Sequence, residues 1–179
     1  FRTGLKVALI GKPNVGKSSI MNRLCKKEKA IVTDLPGTTR DLLESEIVLE
    51  GIPVTFIDTA GIRETENIIE QIGISRTQKA LNQTDLIILI FDYSNGWTKE
   101  DESIMNEIPK SIPLLIVGNK SDLNDNLSSN INPKIILDKE NLVVISAKTG
   151  QGEQNLINYL LKLCGSYQTH GLDVALNER

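Results

Sequence analysis

Short runs of apolar, largely β-branched residues alternate along this chain with stretches whose apolar positions recur every three or four residues. Leu5–Ile10 reads as a buried strand and Gly16–Leu24 as a helix. Glu46–Leu49 and Val54–Asp58 flank Glu50-Gly51-Ile52-Pro53, which predicts a hairpin. Helical spacing over Ile68–Leu81 precedes a strand-like run at Leu86–Asp92. A helix over Lys99–Ile108, strands over Leu114–Asn119 and Leu142–Ser146, and a last helix over Glu153–Leu163 complete the pattern. Strands alternating with helices predict an α/β fold in three layers. Its sheet is six-stranded and mostly parallel, with one antiparallel strand from the hairpin and helices on both faces. Ligands of such sheets sit at the carboxyl ends of the strands. Asn124–Asn132 is rich in Asn and Ser and reads as a surface loop. Gly165–Gly171 reads as a linker, and Leu172–Arg179 as a polar, helix-compatible segment. The expected organisation is one domain over residues 1–165, with 166–179 as a linker and either the start of a following helical domain or a frayed end.

Length and composition agree with this. A chain of 179 residues with 40% hydrophobic and 24% charged residues can bury a core without disulfides. The formal charge of −3 excludes a surface that is basic throughout, but the average conceals an asymmetry. Residues 1–30 hold eight Lys or Arg and a single acid, Glu28. The two cysteines, Cys25 and Cys164, match no metal or redox spacing and read as reduced thiols. Leu86–Phe91 and Ile112–Val117 are too short to span a bilayer, and no signal peptide opens the chain, so no membrane association is expected. Phe1 in place of an initiator Met suggests a piece of a longer protein.

The chemistry starts where the first strand meets the first helix. Gly11-Lys12-Pro13-Asn14-Val15-Gly16-Lys17-Ser18 fits G-x-x-x-x-G-K-[ST] between a predicted strand and a predicted helix, the context a phosphate loop requires. Its glycines let the backbone curl so that successive amides, through Asn14, Val15, Gly16, Lys17, Ser18 and Ser19, face phosphate oxygens. The helix N-terminus adds its dipole. Lys17 would reach the β- and γ-phosphates, and the Ser18 hydroxyl would ligate Mg²⁺. A chance Gly-rich turn is the competing explanation, and the strand-loop-helix setting weighs against it.

Further candidates follow later strands. Asp58, before Thr59-Ala60-Gly61, can hold a water of Mg²⁺, and the Gly61 amide can meet the γ-phosphate. A lone acid at a strand end is more commonly a turn or cap residue, and its place behind a phosphate loop favours the functional role. Asn119-Lys120-Ser121-Asp122 follows the Leu114 strand. Asp122 there can accept from the N1–H and 2-amino donors of guanine, a pair that adenine lacks. Lys120 would lay its stem along the base plane. Ser146-Ala147-Lys148 can meet the base from the other side. Each short string is weak alone, and their order makes the set specific. Asp122 disfavours an ATPase.

Together these strings resemble the translation-factor-like class of small GTPases, which is a Ras-like P-loop NTPase fold. GKPNVGKSS at 11–19, AIVTDLPGTTRD at 30–41, DTAGIRE at 58–64 and EQIGISR at 70–76 are similar to the MnmE (TrmE) family of tRNA modification GTPases, and DVALNER at 173–179 looks like the re-entry into that family's helical domain. The ribosome-assembly GTPase Der is the nearest alternative, a nucleotide-dependent binding switch that shares the first two strings. The resemblance implies GTP hydrolysis in the cytoplasm with GTP/GDP, Mg²⁺ and K⁺ as ligands. Ile62 stands where Ras-like proteins carry a water-orienting glutamine, so the family would use Glu70, in the following helix, to hold the attacking water. K⁺ would supply the charge of an arginine finger, ligated by the Asn14 amide and by carbonyls of Thr33, Leu35 and Thr38, with Thr39 completing the Mg²⁺ shell. Lys17, Asn14 and Glu70 would thus form the catalytic set. The resemblance further implies a transient dimer of GTPase domains across the nucleotides. It also implies a longer protein carrying a folate domain, which works on tRNA with an MnmG-type FAD protein.

Overall fold

A computed structural model describes residues 4–27, 43–58, 81–123 and 141–177. In chain order the elements are β1 (Leu5–Gly11), α1 (Lys17–Lys27), β2 (Leu43–Leu49), β3 (Ile52–Asp58), β4 (Leu86–Asp92), α2 (Lys99–Glu107), β5 (Leu114–Asn119), a short 3₁₀ turn at Ser121–Leu123, β6 (Leu142–Val144) and α3 (Glu153–Asn177). The strands form one six-stranded sheet in the order β2-β3-β1-β4-β5-β6. Among these pairings only β2–β3 is antiparallel. The expected architecture therefore holds.

Its cause is legible in the strands. Val7, Ala8 and Leu9 are completely buried, as are Leu86, Ile87 and Leu89. Side chains alternate between the two faces of a strand, so a run of buried neighbours requires cover on both sides. Val7, Leu9, Ile88 and Ile90 pack with Ile20 and Leu24 of α1 and with Leu156 and Leu160 of α3 on one face. Ala8, Ile10, Ile87 and Leu89 pack with Ile104 of α2, Ile108 and Leu81 on the other. Thr98 caps α2 through a reciprocal capping box with Asp101.

Several boundaries differ from expectation. The hairpin strands are longer, because the turn is only Glu50-Gly51, whose φ values of 47° and 83° close a tight two-residue connection. α1 starts at Lys17, one residue late, since Gly16 at φ 99° cannot be helical. β6 stops at Val144, although Ile145 still donates to the Gly118 carbonyl at 2.8 Å. The largest departure is α3, which runs unbroken to Asn177. Gly165–Gly171, expected as a linker, is helical: the segment has no proline, and a helical glycine costs only about 1 kcal/mol. A boundary at residue 165 would therefore lie inside a helix. The helix expected over Ile68–Leu81 and the loop at Asn124–Asn132 lie outside the described residues, apart from Leu81, which is helical and buried. Cys164 is buried in α3 and Cys25 half-buried in α1, both free thiols.

Candidate functional site

The carboxyl ends of β1, β3, β4 and β5 share one edge of the sheet. Leu9 pairs with Asp58 and Asp92 with Asn119, so the candidate motifs converge there from distant parts of the chain. The loop between β1 and α1 departs from helical and extended geometry twice, at Asn14 (φ 68°) and Gly16 (φ 99°). Left-handed backbone at these places lets successive amides curl inward, and Asn tolerates it better than other side chains. Lys17 is buried, and its ammonium donates to the Gly11 carbonyl and, at 3.3 Å, to that of Lys12. It is thereby held inside the loop whose amides would meet a phosphate. Ser18 and Ser19, at the start of α1, are exposed.

The base side is built on the same loop. The buried Asn119 amide donates to the Val15 carbonyl at 2.9 Å and accepts from the Ala147 amide at 3.0 Å, clamping the phosphate loop to the last loop of the site. Lys120, at φ 65°, donates to the Asn14 carbonyl at 2.7 Å. Ser146, also buried, donates from its hydroxyl to Asp122 Oδ1 at 2.9 Å and accepts from the Thr149 amide at 3.1 Å. Asp122 itself is exposed, so its carboxylate is held from one side and open on the other. This is the arrangement a purine edge with two donors requires. Lys148 is exposed beside it.

Three groups that the motifs do not mark take part in the same architecture. Asp92 accepts from the Ser94 amide at 2.9 Å and from its hydroxyl, and faces Lys120 Nζ at 3.4 Å. Burial opposes its ionisation, but the Ser94 hydrogen bonds and the Lys120 ammonium together outweigh that and hold its carboxyl below the ordinary carboxylate value. Its signal in the sequence was an acid ending a strand, the same signal that marked Asp58. The second group is Lys12, whose ammonium reaches the α2 cap: it donates to Thr98 Oγ1 at 3.0 Å and lies 3.6 Å from the fully buried Asp101 carboxylate. No local pattern announces a contact between residues 86 positions apart. The third, Arg23, lies behind the Ala147 loop.

A depressed folded pKa means that Asp92 contributes stability above the unfolded carboxylate value, about 4, and loses it as pH falls through the folded value. Asp92→Asn is therefore expected to melt lower than the parent at neutral pH, by about 1 kcal/mol or less for a partly exposed pair. That gap should close progressively below about pH 4. A gap independent of pH in thermal melts would show that the carboxylate's charge contributes nothing.

The candidate residues Thr33, Leu35, Thr38, Thr39, Gly61 and Glu70 lie outside the described residues, and for Asp58 only the backbone is described. The donors assigned to Mg²⁺, a hydroxyl and a carboxylate acting through water, form an all-oxygen set, which suits a hard divalent cation. Ser18 stands at the first turn of α1, and Asp58 ends the strand next to β1. From these placements Ser18 and, through water, Asp58 would hold a Mg²⁺ beside a phosphate on the loop, where it would supply positive charge.

The fold and this edge define a P-loop GTPase. Residues 6–120 match the family described as 50S ribosome-binding GTPase. Over 178 residues, 99% of the chain, it is 76% identical to a protein named tRNA modification GTPase MnmE from Prochlorococcus marinus (strain NATL2A), of which it covers 38%. A protein of the same name from another strain of Prochlorococcus marinus is 58% identical over the whole chain, which covers 37% of it. The chain thus spans less than two fifths of the length of these relatives. Among solved structures, a variant of Aquifex aeolicus Era bound to GDP and AlF₄⁻ superposes with a TM-score of 0.68 at 29% identity, over 90% of this chain and 57% of that one. The chain belongs to the 50S ribosome-binding GTPase family. It binds GTP and GDP and hydrolyses GTP.

Proposed function

We propose that this domain drives the modification of the tRNA wobble uridine by a longer protein, through GTP hydrolysis that K⁺ stimulates and that pairing of two GTPase domains switches on. The observation that carries this reading is the 76% identity to a protein named for tRNA modification, extending over 99% of the chain. Two residues support the cation-dependent chemistry. Ile62 replaces a polar water-orienting side chain, so the water must be held elsewhere, and Glu70 is the assigned holder. Asn14 stands exposed in the phosphate loop at a left-handed position, with its backbone carbonyl occupied by Lys120, which leaves its neutral amide oxygen for a monovalent cation. Carbonyls of Thr33, Leu35 and Thr38 would complete that shell, and Ser18, Thr39 and, through water, Asp58 would hold Mg²⁺. A cation there supplies positive charge where it develops between β- and γ-phosphates, the task of an arginine finger.

Partners follow from this reading: a second copy of the domain across the nucleotide, and tRNA with an MnmG-type FAD protein through the rest of the longer chain. Among the described residues no helix is long and apolar enough to cross a membrane, and the proposed setting is the cytoplasm. The test is GTP turnover in KCl against NaCl at matched ionic strength, with oligomeric state followed by light scattering. The expected result is at least tenfold faster turnover in KCl, equivalent to about 1.4 kcal/mol of barrier, together with a dimer seen only with K⁺ and GDP–AlF₄⁻. Asn14→Ala should remove the difference between the salts while GDP binding persists. Equal rates in both salts would sink the K⁺ reading.

A further inference from the structure

Arg23 projects from α1, beyond the phosphate-binding Lys17, onto the back of the loop that carries Ser146, Ala147 and Lys148. Its Nε pairs with Glu153 Oε2 at 3.2 Å, at the first turn of α3. Its Nη1 donates to the Ala147 carbonyl at 3.4 Å. Its Nη2 lies against Gly150, so closely that a Cβ there would stand 2.0 Å away, and Gly150 holds φ 87°. Leu24, Ile145 and Leu156 wall this contact. The Ala147 peptide is therefore gripped on both sides, its amide by Asn119 and its carbonyl by Arg23. The preceding residue, Ser146, is the one whose hydroxyl fixes Asp122.

We propose that Arg23 is a positioning residue for base recognition: with Glu153 it braces the 146–150 loop from behind and so sets the grip of Asp122 and Ala147 on guanine. The proposal rests on the guanine reading of Asp122. A planar guanidinium can satisfy a carboxylate, a carbonyl and a close glycine contact at once, because its donors diverge in one plane. Lysine offers a single point charge and cannot. The consequence is specific. If the brace goes, the loop relaxes away from the base, and the contact most sensitive to the shift is the one Asp122 makes to the 2-amino group. Hypoxanthine lacks that group, so the preference for GDP over IDP reports it directly.

The test uses the 179-residue chain, with release of methylanthraniloyl-GDP followed by stopped flow and competition by GDP, IDP and ADP. Arg23→Met is expected to release the nucleotide about tenfold faster, the scale of one lost charge-assisted hydrogen bond, and to shrink the GDP-over-IDP preference several-fold. Arg23→Lys should not restore either value, and Glu153→Gln should shift both in the same direction by less. If Arg23→Met fails to fold, Arg23→Lys and Glu153→Gln carry the same test. A lower melting temperature with release and preference both unchanged would overturn the proposal, since a brace that only stabilises the fold moves the first and not the others. A parent chain that binds GDP, IDP and ADP alike would instead overturn the guanine reading, and the role of Arg23 with it.

Discussion

Asp122→Asn is expected to lower GDP affinity by about a thousandfold and to create affinity for xanthosine diphosphate. On the proposed reading Asp122 would offer two acceptor oxygens to two guanine donors, and charge-assisted bonds of this kind contribute about 1.5–3 kcal/mol each. Asparagine keeps one acceptor and turns an N–H₂ donor toward the 2-amino donor of guanine, so one bond weakens and the other becomes a clash of donors. Xanthine carries a carbonyl at that position and accepts the new donor. Discrimination of this size arises because a site built for a polar edge leaves buried groups unpaired when the wrong edge enters. The fold should be spared: Asp122 is exposed, and its hydrogen bond from Ser146 Oγ at 2.9 Å can be accepted by the amide oxygen. Isothermal titration with GDP and xanthosine diphosphate, alongside a thermal melt, separates these effects. A variant that still prefers GDP would place base selection elsewhere.

Gly16→Ala should do more damage than its single added methyl suggests. Gly16 holds φ 99°, a conformation that costs an L side chain about 1–3 kcal/mol. An added Cβ would stand 2.2 Å from Asn119 Nδ2, so the amide must leave. That amide is buried and joins the phosphate loop to the last loop of the site through Val15 and Ala147. Unpairing it adds about 1–3 kcal/mol for each orphaned group. The expected total is roughly 3–5 kcal/mol of stability, seen as a fall in melting temperature of about 10 °C. Nucleotide affinity should fall by at least a hundredfold, because both halves of the site lose their common anchor. Asn119→Ala should reproduce the loss of affinity without the backbone strain, and so melt less low than Gly16→Ala. A drop of only a degree or two for Gly16→Ala would mean that the loop adapts and that the close approach carries little energy.

The contrast between these sites shows where local reading succeeds. Glycine and lysine at fixed offsets after an apolar run announce a phosphate loop because the backbone geometry it needs is set within eight residues. Asn119, Asp122 and Ser146 were legible for a related reason: each lies at or just beyond the end of a strand, and strand ends of a parallel sheet share an edge. What failed was of two kinds. The Gly165–Gly171 stretch carried the marks of a linker, but glycine only lowers helix stability modestly, and the helix continued through it. Boundaries at Gly16 and Glu50-Gly51 turned on positive φ, which residue type permits and does not dictate.

Arg23 and Lys12 belong to the other kind. Arg23 pairs with a residue 130 positions away and Lys12 with one 86 away, and nothing within a local window distinguishes either from a solvated surface charge. Sequence by itself determined the fold class, the phosphate loop and the order of the base-reading strings, because each is encoded in short-range periodicity and turn chemistry. Tertiary structure alone decided which charges brace those loops. Such contacts depend on how α1, α2 and α3 pack across the sheet, and packing brings together side chains that the chain keeps far apart.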